Sequence, residues 1–369
     1  MGKPGRLTYI DLLRGWAIII MFETHAYHAW CNPDAKKTAF YAGTRMLGGL
    51  AAPLFLFLAG LSLVLMDAAM VRKELAQEEI RKGLFRRSLW IFIAAFLFRI
   101  QAYVFQLGVA KWEQILRVDV LNCIGLSLLL IAALLQLPER YRVGAFSVLA
   151  AAVALANPLV FDLKLRPHLP RLIADYINGA PPAALFPLFP WAGFALAGAA
   201  VGSLLLRHRA DASSERRFME WLLLGSIGTF AAALALHRSP IHLYPRYDFW
   251  RTSPQYFAIR LACLGVLMTA CSAWRQVRPA PRFRVLEQMG RHSLLLYWVH
   301  VEIVYGRASA LIKGRQSIQS ASLWLLALTA SMLALSFLPD YLRRWGSRGA
   351  STNQPGRTDS TSLRRPGAG

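Results

Sequence analysis

The stretch LLRGWAIIIMFETHAYHAWC, residues 12–31, decides the class of this protein. It has the length of about 20 residues that crosses a bilayer as a helix, yet it carries Arg14, Glu23, His25 and His28. Nine further apolar stretches follow, near 47–67, 88–108, 119–137, 143–161, 183–206, 218–236, 254–273, 286–306 and 321–342. The chain therefore reads as all-α, a polytopic integral membrane protein of about ten transmembrane helices. Backbone groups with no water to bond force such spans to be helical, and no strand-like alternation competes with that reading. Composition agrees: of 369 residues, 56% are apolar without counting 26 Gly and only 17% are charged, against roughly 25% charged in ordinary globular domains. These values exclude a soluble enzyme, a disordered scaffold and a disulfide-stapled secreted domain. Cys31, Cys123, Cys263 and Cys271 show neither CxxC spacing nor clustering, so neither zinc nor a redox pair is signalled and no metal is expected.

The formal net charge of +22 would suggest nucleic acid if the cations lay on a soluble domain. They lie instead between apolar runs. The N-terminal segment, alternate loops and the tail hold 24 Lys and Arg, against 14 in the other loops. The positive-inside rule then places both termini in the cytoplasm, and the basic loops face anionic lipid heads of the bilayer. No nucleic-acid partner is expected. Asp11 and Arg14 interrupt the start of the first run and no small-residue cleavage pattern follows it, which argues against a secretory signal. The expected organisation is one transmembrane domain over residues 1–345 and a disordered cytoplasmic tail over 346–369, rich in Gly, Ser, Thr, Pro and Arg. Gly198 and Gly202 form a small-xxx-small pair suited to close helix packing.

Ionisable groups at membrane depth are costly and usually face a bundle interior or a wet cavity. Arg14 and His25 stand eleven residues apart, which puts them within about 20° on one helix face and about 16 Å apart along the axis. Asp11 and His28 extend the same stripe. In the ninth stretch, Ser293, Tyr297 and His300 follow one face, and His300 falls at about the depth of His25, near 20 Å. The fourth stretch opens with Asp119 and Asn122, while Arg99, Arg260 and Trp191 map to the outer half. Plain charge pairing of Arg99 and Arg260 with Asp119 or Glu302 competes with a functional role for them. Imidazoles flanked by carboxylates support proton transfer, with a neutral His as base and an acid orienting its second nitrogen.

Five segments carry a family resemblance: RLTYIDLLRGWAIIIMFETH (6–25), LGGLAAPLFLFLAGLSL (47–63), DVLNCIGLS (119–127), FPLFPWAGFALAGAAVG (186–202) and MGRHSLLLYWVH (289–300). In order and spacing they resemble the bacterial branch of the heparan-alpha-glucosaminide N-acetyltransferase catalytic family. Arg14, ten residues and then His25 is also similar to the first-helix motif of cell-envelope O-acyltransferases. The resemblance implies a cytoplasmic acyl-CoA co-substrate and a sugar hydroxyl or amine as acceptor on the opposite side. One departure is that lysosomal members carry asparagine where His25 stands and place their histidine further along, whereas the region around Asp34 to Lys37 has none here. His25 is therefore assigned on the O-acyltransferase pattern.

The resulting expectation is a multi-pass acyltransferase of the bacterial inner membrane, moving acetyl from CoA to an envelope carbohydrate or glycolipid; nothing in the sequence excludes an oligomer. Arg14, Arg86, Arg87 and Arg291 would hold the CoA head group. His25 would act as base or be transiently acylated, Glu23 or Asp119 would steady the imidazolium, Asn122 or Tyr297 would donate to the oxyanion, and His300 would share the cavity. Two alternatives use the same residues: a proton-coupled transporter or glycan flippase, and a non-catalytic membrane subunit whose buried charges only pair with each other.

Overall fold

Residues 7–105, 111–239, 244, 248–277 and 284–351 are described in this computed structural model. Among the described residues each of the ten apolar stretches falls largely on helix, with 106–108 of the third lying outside the described residues. In chain order the elements are α1 (Thr8–Trp30), α2 (Ala39–Gly48), α3 (Ala51–Val71), α4 (Gln77–Phe105), α5 (Val120–Leu134), α6 (Glu139–Asp162) and α7 (Arg171–Asn178). There follow α8 (Leu188–His208), α9 (Ala212–Arg238), α10 (Pro254–Val277), α11 (Arg284–Arg291), α12 (Ser293–Tyr305) and α13 (Ile318–Ser351). Among the described residues, seven helical segments are long and apolar enough to cross a membrane. Two shorter apolar helices are α5 and α12, and α1 supplies the remaining stretch with its charges. Among the described residues there is no strand, only the isolated bridges Cys31 to Gln316 and Val118 to Ala184.

The polar first helix is at the centre. Leu13, Ala17, Ile18, Phe22 and Ala26 are fully buried, and α1 packs against α2, α3, α10, α11, α12 and α13. A helix surrounded by protein can carry ionisable groups that lipid would reject. The most extensive helix pair is α3 with α8, and glycine makes it so. A Cβ on Gly198 would collide with the Phe57 carbonyl, and one on Gly60 with the Ala195 carbonyl, while one on Gly202 would come within 3.2 Å of Leu61 Cα. Apolar side chains gain nothing from leaving lipid, so van der Waals contact between near-touching backbones is what holds such a pair.

The ninth stretch is not one helix. It breaks at His292 (φ −105°, ψ 23°) into α11 and α12. Polar α11 gives way to apolar α12 across the break, and packing holds α11 in place: Gly15 and Gly290 bring α1 and α11 into backbone contact, where a Cβ on either would meet a carbonyl oxygen of the other helix. Two short helices, α2 and α7, were not expected. α2 starts where the Thr38 hydroxyl accepts from the Tyr41 amide at 3.2 Å, satisfying one of the orphan donors of a helix start. Helix α13 continues to Ser351, and the rest of the expected tail, 352–369, lies outside the described residues.

Gly60→Ala and Gly198→Ala are each expected to destabilise the fold by about 1–3 kcal/mol through overpacking of the seam. Gly225→Ala, with no atom near the added methyl, should leave stability unchanged or slightly higher. Thermal unfolding of the three variants in one detergent checks the contrast.

Candidate active site

A cavity of about 1050 Å³ opens between α1, α3, α4, α5, α10 and α12. Its two ends differ. Arg14, Ser62, Arg87, Arg291 and His292 line one, and His25, Arg99, Arg117, Asp119, Arg260 and Tyr305 the other. Helix geometry separates them, because Arg14 lies three turns before His25 and Arg87 about 18 Å before Arg99 along α4. At the first end Arg14 donates to Asp11 at 2.8 Å and also to the Ser62 hydroxyl. Arg291 comes within 4.0 Å of the same Asp11. Two guanidinium groups converging on one carboxylate leave that end net positive.

At the other end, His25 Nδ1 is 2.9 Å from His300 Nε2 and the rings meet edge to edge, centroids 5.2 Å apart and 9° between planes. His300 Nδ1 is 2.9 Å from the Leu296 carbonyl. A carbonyl only accepts, so His300 Nδ1 carries the hydrogen, and in neutral His300 the Nε2 is an acceptor. His25 must then donate from Nδ1, which leaves its Nε2 with a free lone pair. His25 lines the cavity. His300 is fully buried behind it. Tyr305 packs edge-on to His25 at 5.3 Å and its hydroxyl is 3.3 Å from His28 Nδ1. The wall at His25 also borders a second cavity of about 320 Å³, lined by Tyr41, Thr44 and Arg45.

The start of α5 brings a carboxylate to this end. Asp119 accepts from the Val120 amide at 2.7 Å while the Asn122 side chain accepts from the Asp119 amide at 3.1 Å, a reciprocal capping box. With its backbone so fixed, Asp119 pairs with Arg99 at 2.8 Å. The Asn122 amide turns away to donate to the Tyr176 hydroxyl at 3.0 Å.

The structure thus brings His25, Asp119, Tyr297, Arg14, Arg87 and Arg291 to one cavity. Glu23, Asn122, Arg86 and His300 do not line it. Glu23 is two residues from His25, a spacing that never shares a helix face, and its carboxylate accepts instead from Thr24 at 3.3 Å. Asn122 is spent on the cap, Arg86 is exposed, and His300 reaches the site only through His25. Sequence reading missed Arg117, Ser62, His292 and Tyr305. The signal for Tyr305 was present: Ser293, Tyr297, Val301 and Tyr305 step by four and all line the cavity, whereas the spacing of three to His300 leads off that row. Arg117 sits in a connection, where no periodicity points inward.

Comparison with known proteins supplies a family. The heparan-alpha-glucosaminide N-acetyltransferase catalytic family matches residues 6–235. The chain belongs to that family. It is accordingly a membrane protein of an acetyltransferase family. The matched segment contains α1 to α8, with Arg14, His25 and Asp119. Arg260, Tyr297 and His300 lie beyond it. No curated protein matches the chain.

Asp119→Asn leaves Arg99 without its partner and is expected to cost about 3 kcal/mol. Asn122→Ala loses only the cap and the Tyr176 contact, about 1–2 kcal/mol. Chemical denaturation of the two variants beside the parent tests that order.

Proposed function

We propose that this protein transfers an acetyl group from acyl-CoA to a carbohydrate or glycolipid of the bacterial cell envelope, with His25 as the base. The observation that carries the reading is the imidazole pair at one end of a cavity whose other end is cationic, about 16 Å away along α1. Arg14, Arg87 and Arg291 would hold the anionic head group, and the length between the ends suits a long thin pantetheine arm. The excess of Lys and Arg on one side supports cytoplasmic termini, an inner-membrane location and a cytoplasmic cationic end.

The co-substrate supplies the thioester. In direct transfer His25 Nε2 takes the proton of an acceptor hydroxyl or amine as that oxygen or nitrogen bonds to the acyl carbon. The C–S bond then breaks and the proton on His25 passes to the departing sulfur. His300 receives the Nδ1 hydrogen bond throughout, so the imidazolium is oriented and steadied much as a carboxylate does in a triad. Tyr297 lines the cavity as a donor toward the developing oxyanion. Transient acylation of His25 uses the same lone pair.

One observation favours a second reading, a proton-coupled transporter: the helix break at His292, since discontinuous helices commonly build transport sites. Purified protein given acetyl-labelled CoA and envelope glycolipid decides between them. Thiol release with label in the glycolipid supports transfer, and intact thioester with the cells' glycan acetylation unchanged on gene deletion contradicts it. In that assay Arg14→Ala is expected to weaken acyl-CoA affinity roughly tenfold while sparing kcat. His25→Ala should lower turnover by about 10³ with binding near normal. Asp11→Asn separates ligand contact from helix support: a defect equal to that of Arg14→Ala, with CoA no longer protecting either variant from unfolding, would make the role of Arg14 structural.

A further inference from the structure

Arg99 and Arg260 read alike in sequence, as cations in need of a carboxylate. The structure separates them. Arg99 has Asp119 at 2.8 Å. Arg260 is 7% exposed, its Nε has no hydrogen-bond partner, and no carboxylate is within salt-bridge distance among the described residues. What surrounds its guanidinium is aromatic: Tyr256 at 4.3 Å, Trp191 at 5.2 Å and Phe194 at 5.2 Å from ring centre to Cζ. Ring faces attract a cation and hold it in place without neutralising it or satisfying its donors. Arg260 lines the same cavity as His25, and so does Arg117, whose Nε is also buried without a partner. Arg117 stands close enough to Arg99 and Asp119 for their charges to act on it. At this end three guanidinium groups face Asp119 and Glu302, and Asp119 is already engaged by Arg99.

We propose that Arg260 and Arg117 form an anion subsite at the His25 end of the cavity, reading a carboxylate or phosphate carried by the acceptor, so that the acceptor is an acidic sugar rather than a neutral one. Planar guanidinium forks match both anions in a bidentate manner. A buried, rigidly caged arginine meets a bound anion with little left to order, and the anion supplies the counter-charge that the protein withholds. The position suits the acceptor and not the donor, because the cations that fit the CoA head group are at the opposite end, beyond Arg14. The assignment rests on the acyl-transfer reading above.

The test is ligand-induced thermal stabilisation of the purified full-length protein by glucuronate, glucose 6-phosphate and glucose, with coenzyme A titrated in parallel. At least one acidic sugar should raise the unfolding temperature where glucose does not. Arg260→Gln should weaken that effect by about tenfold or more, Arg117→Gln should weaken it less, and Arg260→Lys should restore part of it, which shows that the site is intact. Coenzyme A affinity should fall in Arg14→Ala and stay within about twofold of the parent in Arg260→Gln. Equal responses to acidic and neutral sugars, no response to any of them, or an acidic-sugar response unchanged in Arg260→Gln would overturn the subsite. Loss of coenzyme A binding in Arg260→Gln would move the anion to the donor and overturn it equally. Failure of the parent to bind coenzyme A at all, with the acidic-sugar response intact, would sink the acyl-transfer reading and leave the anion subsite standing.

Discussion

The Leu296 carbonyl orders this site. It fixes the hydrogen on His300 Nδ1, His300 Nε2 then accepts from His25, and the only lone pair left on His25 is on Nε2. Each step follows from what a carbonyl and a neutral imidazole can donate or accept. The relay needs both rings coplanar and close, which in turn needs α1 and α12 held in register. The break at His292 is part of that arrangement: α11 crosses α1 at backbone contact through Gly15 and Gly290, and α12 resumes on a line that brings His300 behind His25. A polar residue pattern in the middle of a membrane helix is thereby made tolerable and useful at once, since of the four ring nitrogens of His25 and His300 all but His25 Nε2 are engaged.

The cavity walls divide the charge. Asp11 draws Arg14 and Arg291 together at one end, whereas at the other Asp119 is committed to Arg99 and Arg260 has, among the described residues, aromatic faces around it. In a region of low dielectric these differences count for more than they would at a surface. The glycine seam between α3 and α8 supplies the stiffness against which such charges can be kept in place, because close-packed backbones leave little room for relaxation.

Much of the fold was legible because bilayer-spanning length is written directly in apolar runs, and among the described residues every such run falls largely on helix. What was hidden depended on tertiary contact. The break at His292 goes with the backbone contact between α1 and α11, and α2 and α7 are too short for periodicity to declare them. In the site, the common face of Arg14 and His25 and the matching depths of His25 and His300 were readable from helix geometry. Glu23 was not separable by type alone, although its spacing of two from His25 already placed it on another face. Asn122 and Asp119 looked alike as polar residues at one helix start. Only the structure shows that Asp119 caps the helix and holds Arg99 at the cavity wall while Asn122 spends its amide on Tyr176. Arg99 and Arg260 show the same limit, since sequence names a charge and structure names its partner.

The tautomer of His25 is the most direct measure of this account. Nitrogen NMR of protein labelled with ¹⁵N-histidine, assigned with His25→Gln and His300→Gln, distinguishes protonated from bare ring nitrogens. Hydrogen is expected on Nδ1 of both His25 and His300, with Nε2 of His25 bare and responsive to coenzyme A. Hydrogen found on Nε2 of neutral His25, with Nδ1 bare, would contradict it.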